Sequence, residues 1–209
     1  MELRSDTFVD GEAIPTRCAF AKSHPEDRVT LSDNVNPHLA WSDVPEETKS
    51  FTVIAHDYDV PSVGDDVNQP DREVPSDLPR VDFFHWVLID VPADKREIAE
   101  GEFCQGVTAG GKDVRYGPWG TRQGLNDFTG WFEGDPEMAG SYFGYDGPAP
   151  PWNDSILHHY VFTVFALDIQ RLDVDGDFTG QEVREAMRGH ILDQASLEGT
   201  YTANPRLAL

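Results

Sequence analysis

The polar residues of this sequence that are suited to chemistry stand beside its most apolar segments. They are Asp57, Asp59, His85, His158 and Tyr160. A protonated histidine donates to an anion, and a carboxylate that accepts from its other nitrogen holds the ring in one tautomer. An aspartate also accepts the ammonium group of a zwitterionic ligand. Taken singly, each residue also fits an ordinary structural role, such as turn formation by aspartate.

Three segments with strand character must position these residues. They are residues 51–55, 83–89 and 159–167, all rich in β-branched and aromatic side chains. If the three are antiparallel neighbours, the end of one lies beside the start of the next, and Asp57, His85 and His158 converge at one end of a sheet. Alternation along a strand places Tyr160 on the same face as His158. The third segment is apolar on both faces, which predicts a central strand.

The remaining segments give weaker signals. Weak strands are predicted at residues 8–14 and 28–31. Residues 58–82, with many acids and prolines, and residues 105–157, with many glycines, prolines and aromatic residues, have no period and are predicted to be irregular. The aromatic residues of the second stretch predict that it is ordered and packed.

A helix is predicted near the C-terminus. Thr179 and Glu182 have the spacing of a capping box. Apolar residues follow at helical spacing, namely Val183, Met187 and Ile191. Gly199 is a natural stop for this helix. The sequence therefore predicts a single domain over residues 1–209 that is mainly β, with a C-terminal α-helix packed on the sheet.

The charge of the chain excludes some partners. Asp and Glu number 38 against 16 Lys and Arg, a formal net charge of −22. The acids are spread among 12 Phe, 6 Tyr and 5 Trp, which indicates a folded protein with an acidic surface. A halophilic archaeal source is predicted, where salt screens self-repulsion, an ordinary acidic protein being the alternative. A basic surface for nucleic acid or for an anionic bilayer is missing.

Neither the cysteines nor the termini indicate a metal, a cofactor or a membrane anchor. Cys18 and Cys104 are far apart and outside any metal-binding spacing, so buried free thiols are expected. The first residues lack the basic and apolar regions of a signal peptide. No apolar stretch approaches the roughly 20 residues of a membrane span. A cytoplasmic protein without a transmembrane segment is expected.

A series of short blocks occurs in the order found in one known family. Residues 57–62 match Asp-Pro-Asp-x-Pro-Ser except for Tyr58, residues 85–88 match a His-bearing strand, and residues 144–162 match Gly-Tyr-x-Gly-Pro-x-Pro-Pro followed by His-x-Tyr-x-Phe. Further blocks lie at residues 36–41, 45–50, 124–128 and 189–192. Together they resemble the phosphatidylethanolamine-binding protein family, in its bacterial and archaeal Raf kinase inhibitor-like branch, from about residue 8 to 202.

The resemblance implies a Greek-key pair of β-sheets with a small anion-binding pocket at one end. By position it implies pocket residues Asp57, His85, His158 and Tyr160, a wall shaped by Asp59 and Pro61, and a proline near the ligand that is either Pro148 or Pro150. Family members weakly bind phosphate-bearing headgroups or nucleotides, and several modulate kinases or other enzymes. We therefore expect non-catalytic binding of a small phosphate-bearing anion, with regulation of a partner protein.

Three departures from the family pattern bear on the ligand. Tyr58 replaces a proline, and its ring is expected to cover part of the pocket. The acidic stretch 65–82 is expected to border the entrance of the pocket. Residues 129–141 look like an insertion relative to the family pattern.

Three other interpretations stay open at this point. Asp173, Asp175 and Asp177 start like a calcium loop, although Phe178 and Arg184 occupy its glycine and glutamate positions. A weak hydrolase is the second, with Ser62 and Ser155 near the polar cup but no catalytic motif around them. A protein-interaction regulator with a vestigial pocket is the third, with a homodimer through the aromatic loop of residues 116–152 as a further possibility.

Overall fold

The computed structural model describes residues 1–207. In chain order the strands are β1 (Glu2–Arg4), β2 (Ala21–His24), β3 (Arg28–Leu31), β4 (Leu39–Ser42), β5 (Ser50–Pro61), β6 (Arg80–Pro92), β7 (Glu97–Ile98), β8 (Arg122–Gln123), β9 (His158–Leu167) and β10 (Ile191–Tyr201). The α-helices are α1 (Phe128–Trp131) and α2 (Gly180–Ala186), and two short 3-10 helices cover Thr16–Cys18 and Pro118–Gly120. The prediction of a mainly β fold with a helix near the C-terminus is confirmed.

The largest sheet contains the three predicted strands as neighbours. Its order is β10-β9-β5-β6-β8, and its pairs are antiparallel. Strand β5 lies at the centre, and its side chains from Phe51 to Ala55 are buried on both faces. A smaller sheet has the order β1-β4-β7, and β2 pairs with β3 as a hairpin. The predicted strand at residues 28–31 is therefore confirmed as β3.

Two apolar cores lie on the two faces of the largest sheet. One lies between that sheet and the smaller one, where Trp41 and Ile98 pack with Phe51, Trp86 and Phe162. The second lies under α2 and is built from Ile54, Phe84, Val87, Val183, Met187 and their neighbours. Burial on both faces explains why β5, β6 and β9 have nearly continuous apolar sequences.

The predicted strand at residues 8–14 is wrong. This segment is a loop that follows the edge of β10, with Gly11 in the left-handed region at φ 80°. Its backbone is held by single contacts, such as the Ile14 amide donating to the Thr200 carbonyl at 2.8 Å. Because these bonds are isolated, no regular ladder forms.

The predicted helix is present but shorter than its apolar spacing indicated. The capping box exists, since the Glu182 amide donates to Thr179 Oγ1 at 3.4 Å and Glu182 Oε2 accepts from the Thr179 amide at 2.8 Å. The helix ends at Ala186, and Gly189 at φ 80° reverses the chain. Ile191 starts strand β10 instead of continuing the helix.

Gly199 does not end the helix either, because it lies inside β10. A Cβ atom there would lie 2.5 Å from Ile14, so the position requires close backbone approach.

The two irregular stretches are shorter than predicted. Strand β5 continues to Pro61 and β6 begins at Arg80, which leaves residues 62–79 as the first loop. The second stretch contains α1, β8 and a 3-10 helix. Most of its aromatic residues are packed, as predicted, with Tyr142, Phe143 and Tyr145 buried, whereas Tyr116 and Trp131 are exposed. Cys18 and Cys104 are buried free thiols, also as predicted.

Candidate ligand-binding site

A cavity of about 410 Å³ opens where β5 ends and β6 and β9 begin. Its polar lining consists of Thr30, Asp57, Asn68, His85, His158 and Tyr160. Its apolar lining includes Phe20, Val29, Leu31, Pro61, Phe83, Phe128, Trp131, Phe132, Met138 and Pro150. The cavity therefore has a polar end at the sheet and a long apolar wall.

Strand register explains why the polar residues meet. Asp57 stands opposite Tyr160 of β9 and opposite Phe83 of β6. His158 precedes Tyr160 by two residues, and His85 follows Phe83 by two, so both histidines share the face of Asp57. The convergence expected from the strand ends is what the structure contains.

His158 is enclosed by two carboxylates. Its Nδ1 lies 2.6 Å from Asp57 Oδ2 and its Nε2 lies 3.1 Å from Asp154 Oδ2. Burial lowers the pKa of His158, but the two carboxylates outweigh burial and raise it to about 9. The ring is therefore an imidazolium whose two N–H groups are both used inside the protein.

Arg80 completes this cluster. Its guanidinium binds Asp154 through two hydrogen bonds of 2.6 and 3.1 Å. Asp57 also accepts the Asp59 amide at 2.7 Å. The two carboxylates, His158 and Arg80 together carry no net charge.

His85 is held in the opposite protonation state. Its Nδ1 lies 2.7 Å from the carbonyl oxygen of Asp146. A carbonyl only accepts, so Nδ1 carries the proton and Nε2 of the neutral ring is an acceptor. Burial, as the largest cause, lowers the pKa of His85 to about 4. Within residues 1–207, Nε2 makes no hydrogen bond.

Tyr160 is buried at 2 % exposure, and its hydroxyl has no hydrogen-bond partner within the described chain. The hydroxyl lies close to the carboxylate of Asp57 without completing a hydrogen bond to it. Burial first, and then Asp57, raise the pKa of Tyr160 far above its usual range. An unpaired buried hydroxyl is unusual in native proteins, and it marks this end of the cavity.

Comparison with known proteins identifies the architecture around this cavity. A sequence profile described as phosphatidylethanolamine-binding protein matches residues 4–202. The chain belongs to the phosphatidylethanolamine-binding protein family.

Relatives of this family are similar over nearly their whole length. The UPF0098 protein YbhB of Escherichia coli K12 is 34 % identical over 202 residues, covering 97 % of this chain and 100 % of YbhB. A UPF0098 protein of Aquifex aeolicus is 32 % identical, with 96 % of this chain and 88 % of the relative covered. The crystal structure of E. coli YbcL, titled a new member of the mammalian PEBP family, superposes with a TM-score of 0.68 at 27 % identity, covering 96 % of this chain and 97 % of YbcL.

The family resemblance predicts Asp59 and Pro148 at the pocket, but neither residue lines the cavity. Asp59 Oδ2 accepts from the His159 amide at 2.9 Å and lies 2.7 Å from the His159 ring. A register shift between Asp57 and Val60 turns Asp59 toward that side of the strand. Pro148 serves the fold through its carbonyl, which accepts from Phe20 and Ala21, whereas Pro150 lines the cavity.

Tyr58 does not cover the cavity. Its ring stacks on His159 with 5.5 Å between ring centroids, and its hydroxyl donates to Glu198 at 3.1 Å. The expectation that this ring covers part of the pocket is therefore wrong, because Tyr58 is not among the lining residues.

The acidic loop before β6 is fastened beside the cavity. The side-chain amide of Asn153 donates to three of its carbonyls, those of Asp66, Gln69 and Arg72. Only Asn68 of this loop lines the cavity.

The segment that looked like an insertion supplies part of the cavity wall. It contributes Trp131, Phe132 and Met138. Phe128 stacks on both Phe20 and Phe132, with centroid distances of 4.5 and 5.5 Å, and Phe20 and Phe132 lie 5.8 Å apart. The run of aromatic residues after Asn126 was the sequence signal for this wall.

A second polar cluster behind His85 was missed by the sequence analysis. Asp146 is fully buried and accepts from Asn34 at 2.7 Å, Lys112 at 3.0 Å and Asn126 at 2.8 Å. Its backbone amide donates to the His85 carbonyl at 3.0 Å. The two residues thus hold each other, and Asp146 fixes the orientation of the His85 ring.

Neither a metal cluster nor a membrane helix occurs within residues 1–207. No group of three or more His, Cys, Asp or Glu side chains there is arranged to hold a metal ion. No helix in the same range has the length and apolar character to cross a bilayer. In residues 173–177, which start like a calcium loop, Asp177 forms an ion pair with Arg115.

Proposed function

We propose that the cavity binds a small phosphate-bearing ligand and that the protein does not transform it. The observation that carries this proposal is hydrogen-bonding capacity left unused at a buried polar end. Tyr160 is buried with an unpaired hydroxyl, and His85 presents Nε2 as an acceptor. Buried polar groups without partners are costly, so a ligand or water that pairs with them gains free energy.

The electrostatics of the cavity favour a ligand with little net charge. No lysine or arginine occurs among the described residues that line it. The cluster of Asp57, Asp154, His158 and Arg80 is neutral as a unit. A zwitterion such as a phosphoethanolamine group meets these conditions, because Asp57 retains lone pairs for an ammonium.

The apolar wall indicates that the ligand extends beyond its phosphate. Phe20, Phe128 and Phe132 form a cluster of three packed rings beside the polar end. Such a wall suits the acyl, ring or alkyl part of a phosphate ester. Pockets with a few polar groups at one end of an apolar lining are typical of small-molecule sites.

Binding is favoured over hydrolysis by the hydrogen bonds of the candidate catalytic groups. Both nitrogens of His158 face carboxylates, so this ring is not placed to activate a nucleophile. The Ser155 hydroxyl donates to the carbonyl of Val74 at 2.8 Å.

Regulation of a partner protein is a second proposal. It is favoured by two large apolar side chains exposed at the cavity mouth, Leu31 at 50 % and Trp131 at 47 %. A partner that covers this rim would sense whether the cavity is filled. The halophilic archaeal source, the cytoplasmic location, the Raf kinase inhibitor-like branch and the homodimer stay predictions.

Calorimetric titration of O-phosphoethanolamine and inorganic phosphate, in about 2 M KCl to screen surface charge, tests the binding proposal. Tyr160→Phe removes the unpaired hydroxyl, and Tyr58→Phe is the matched control, because Tyr58 lies on the same sheet outside the lining. We expect saturable binding that Tyr160→Phe weakens about tenfold, the worth of one hydrogen bond to a charged group. Absence of binding to the folded wild type would overturn the proposal.

A further inference from the structure

The tautomer of His85 determines what the polar end offers to a ligand. Nδ1 must donate, because its partner at 2.7 Å is the backbone carbonyl of Asp146. That carbonyl cannot move freely, since the Asp146 side chain is held by Asn34, Lys112 and Asn126. The His85 ring is buried at 4 % exposure, and a flip would break its bond to Asp146. Nε2 therefore meets a ligand as a lone pair.

The other polar groups that β5 and β9 contribute to this end supply one donor, the Tyr160 hydroxyl. His158 uses both N–H groups on Asp57 and Asp154. Asp57 is an acceptor, and Tyr160 has one hydroxyl proton. A fully deprotonated tetrahedral oxyanion would place an oxygen lone pair against the lone pair of Nε2.

We propose that the site selects tetrahedral oxyanions that carry a proton of their own, so that it takes phosphate monoesters as the singly protonated monoanion and discriminates against sulfate monoesters of the same shape. This inference rests on the proposed function. The P–O–H group donates to His85 Nε2, and one proton is shared between that nitrogen and the phosphate oxygen. A sulfate monoester has the same charge and nearly the same size, but it has no such proton near neutral pH.

The surroundings of His85 support this selection. The titratable groups that act on the ring are His56 and Asp57 of β5 and His158 of β9. Asp146 acts through its backbone carbonyl, and Tyr160 of β9 packs against the ring at 5.2 Å between centroids. Burial dominates, and it lowers the pKa of His85 to about 4.

The cost of the shared proton differs between the two esters. A phosphate monoester has its second pKa at about 6, so only about a tenth of it is singly protonated at pH 7. Binding of this form alone therefore lowers the apparent affinity about tenfold. A sulfate monoester requires His85 to take up the proton instead. Because the pKa of His85 is about 4, this lowers the apparent affinity at pH 7 about a thousandfold. The expected preference for phosphate at pH 7 is therefore about a hundredfold.

Calorimetry with two matched ligands tests the inference. O-phosphoethanolamine and ethanolamine O-sulfate are titrated between pH 5 and pH 8 in buffers of different ionisation enthalpy, which gives the number of protons taken up. For the phosphate ester we expect uptake of nearly one proton per site above pH 7 and little at pH 5. Its affinity should fall about tenfold per pH unit above pH 6, and the sulfate should bind about a hundredfold more weakly at pH 7.

His85→Asn tests the role of the ring. The asparagine amide replaces Nδ1 as donor to Asp146 and removes Nε2, so the preference for phosphate should disappear. His190→Asn, at a half-exposed histidine paired with Asp168, is the matched control and should keep the preference.

The outcomes separate this inference from the proposed function. Equal affinity for the two esters without proton uptake overturns the inference and leaves phosphate binding intact. Failure of both esters to bind overturns the proposed function and the inference with it. If His85→Asn does not fold, the two ligands on the wild-type protein still decide.

Discussion

Two buried carboxylates on either side of His85 have opposite surroundings. Asp146, behind the ring, accepts from Asn34, Lys112 and Asn126. Asp57, in front of it, accepts from His158 and one backbone amide and stands beside the unpaired hydroxyl of Tyr160. The rear cluster is complete, whereas the front cluster leaves capacity unused. In this protein, complete pairing of a buried carboxylate therefore marks a structural role, and incomplete pairing marks the place for a ligand.

The two clusters are nevertheless linked through one ring. The rear cluster positions the carbonyl that fixes the His85 tautomer, and that tautomer makes Nε2 an acceptor toward the cavity. A structural network thereby sets the chemistry of the site, as supporting hydrogen bonds commonly do around functional groups.

Removing the rear carboxylate should have the largest effect. Asp146→Ala leaves the buried ammonium of Lys112 without its anionic partner, and we expect the free energy of unfolding to fall by about 3–5 kcal/mol. Denaturant unfolding measures this. Asp113→Ala, which breaks the exposed pair with Arg115, is the control and should shift the midpoint far less. Equal midpoints for the two variants would contradict a structural role of the rear cluster.

The pH dependence of stability should distinguish His85 from His158. The pKa of His85 is about 4 when folded and about 6.5 when unfolded, so the unfolded state binds the proton more tightly. Its contribution is present above pH 6.5 and is lost as pH falls through 4, by up to about 3 kcal/mol. His158, with its pKa raised to about 9, contributes below pH 6.5 and loses this as pH rises through 9.

Unfolding free energies of wild type and His85→Asn, compared between pH 7 and pH 4, measure the first effect. Imidazole resonances followed by NMR from about pH 3 to pH 10 measure both pKa values. A His158 ring that loses its proton near pH 6.5 would contradict its assignment as an imidazolium.

Two buried tyrosines provide a smaller and sharper comparison. The Tyr145 hydroxyl donates to the carbonyl of Cys18 at 2.6 Å, whereas the Tyr160 hydroxyl is unpaired. Tyr145→Phe should cost about 1–2 kcal/mol of unfolding free energy, and Tyr160→Phe should be neutral or slightly stabilising. Thermal or denaturant unfolding without ligand makes the measurement. A larger loss for Tyr160→Phe would show that its hydroxyl has a structural partner.

The smallest expected effect is that of salt on ligand binding at the front cluster. At about 1 M salt the screening length is about 3 Å, so the surface charge of the chain no longer acts on a buried site. The affinity for O-phosphoethanolamine should change little between 1 and 3 M KCl. A strong loss of affinity over that range would assign binding to exposed charges instead of the cavity.

Much of the scaffold was predictable, because its signals are local. The apolar runs that became β5, β6 and β9 and the capping box at Thr179 depend on residues close in sequence. Where local signals conflicted with pairing, the prediction failed. Ile191 continues a helical spacing, but Gly189 reverses the chain and pairing with β9 makes Ile191 part of β10.

The candidate site was predictable in its membership but not in its chemistry. Asp57, His85, His158 and Tyr160 meet because they stand at the ends of adjacent strands. Asp59 points toward His159 because the strand register shifts between Asp57 and Val60, and no residue type in the sequence predicts that shift. The aromatic composition of residues 105–157 predicted a packed segment, but it did not predict that this segment lines the cavity.

Local sequence patterns specify which side chains gather at the end of the sheet, through apolar periodicity and the positions of polar residues beside it. The protonation of these side chains depends instead on contacts made in the folded chain. Asp57 and His158 are 101 positions apart, and His85 and Asp146 are 61 apart, so their partners are set by packing. Burial and distant partners fix the pKa of a histidine, and for this reason one ring is charged and enclosed while the other is neutral and open to a ligand.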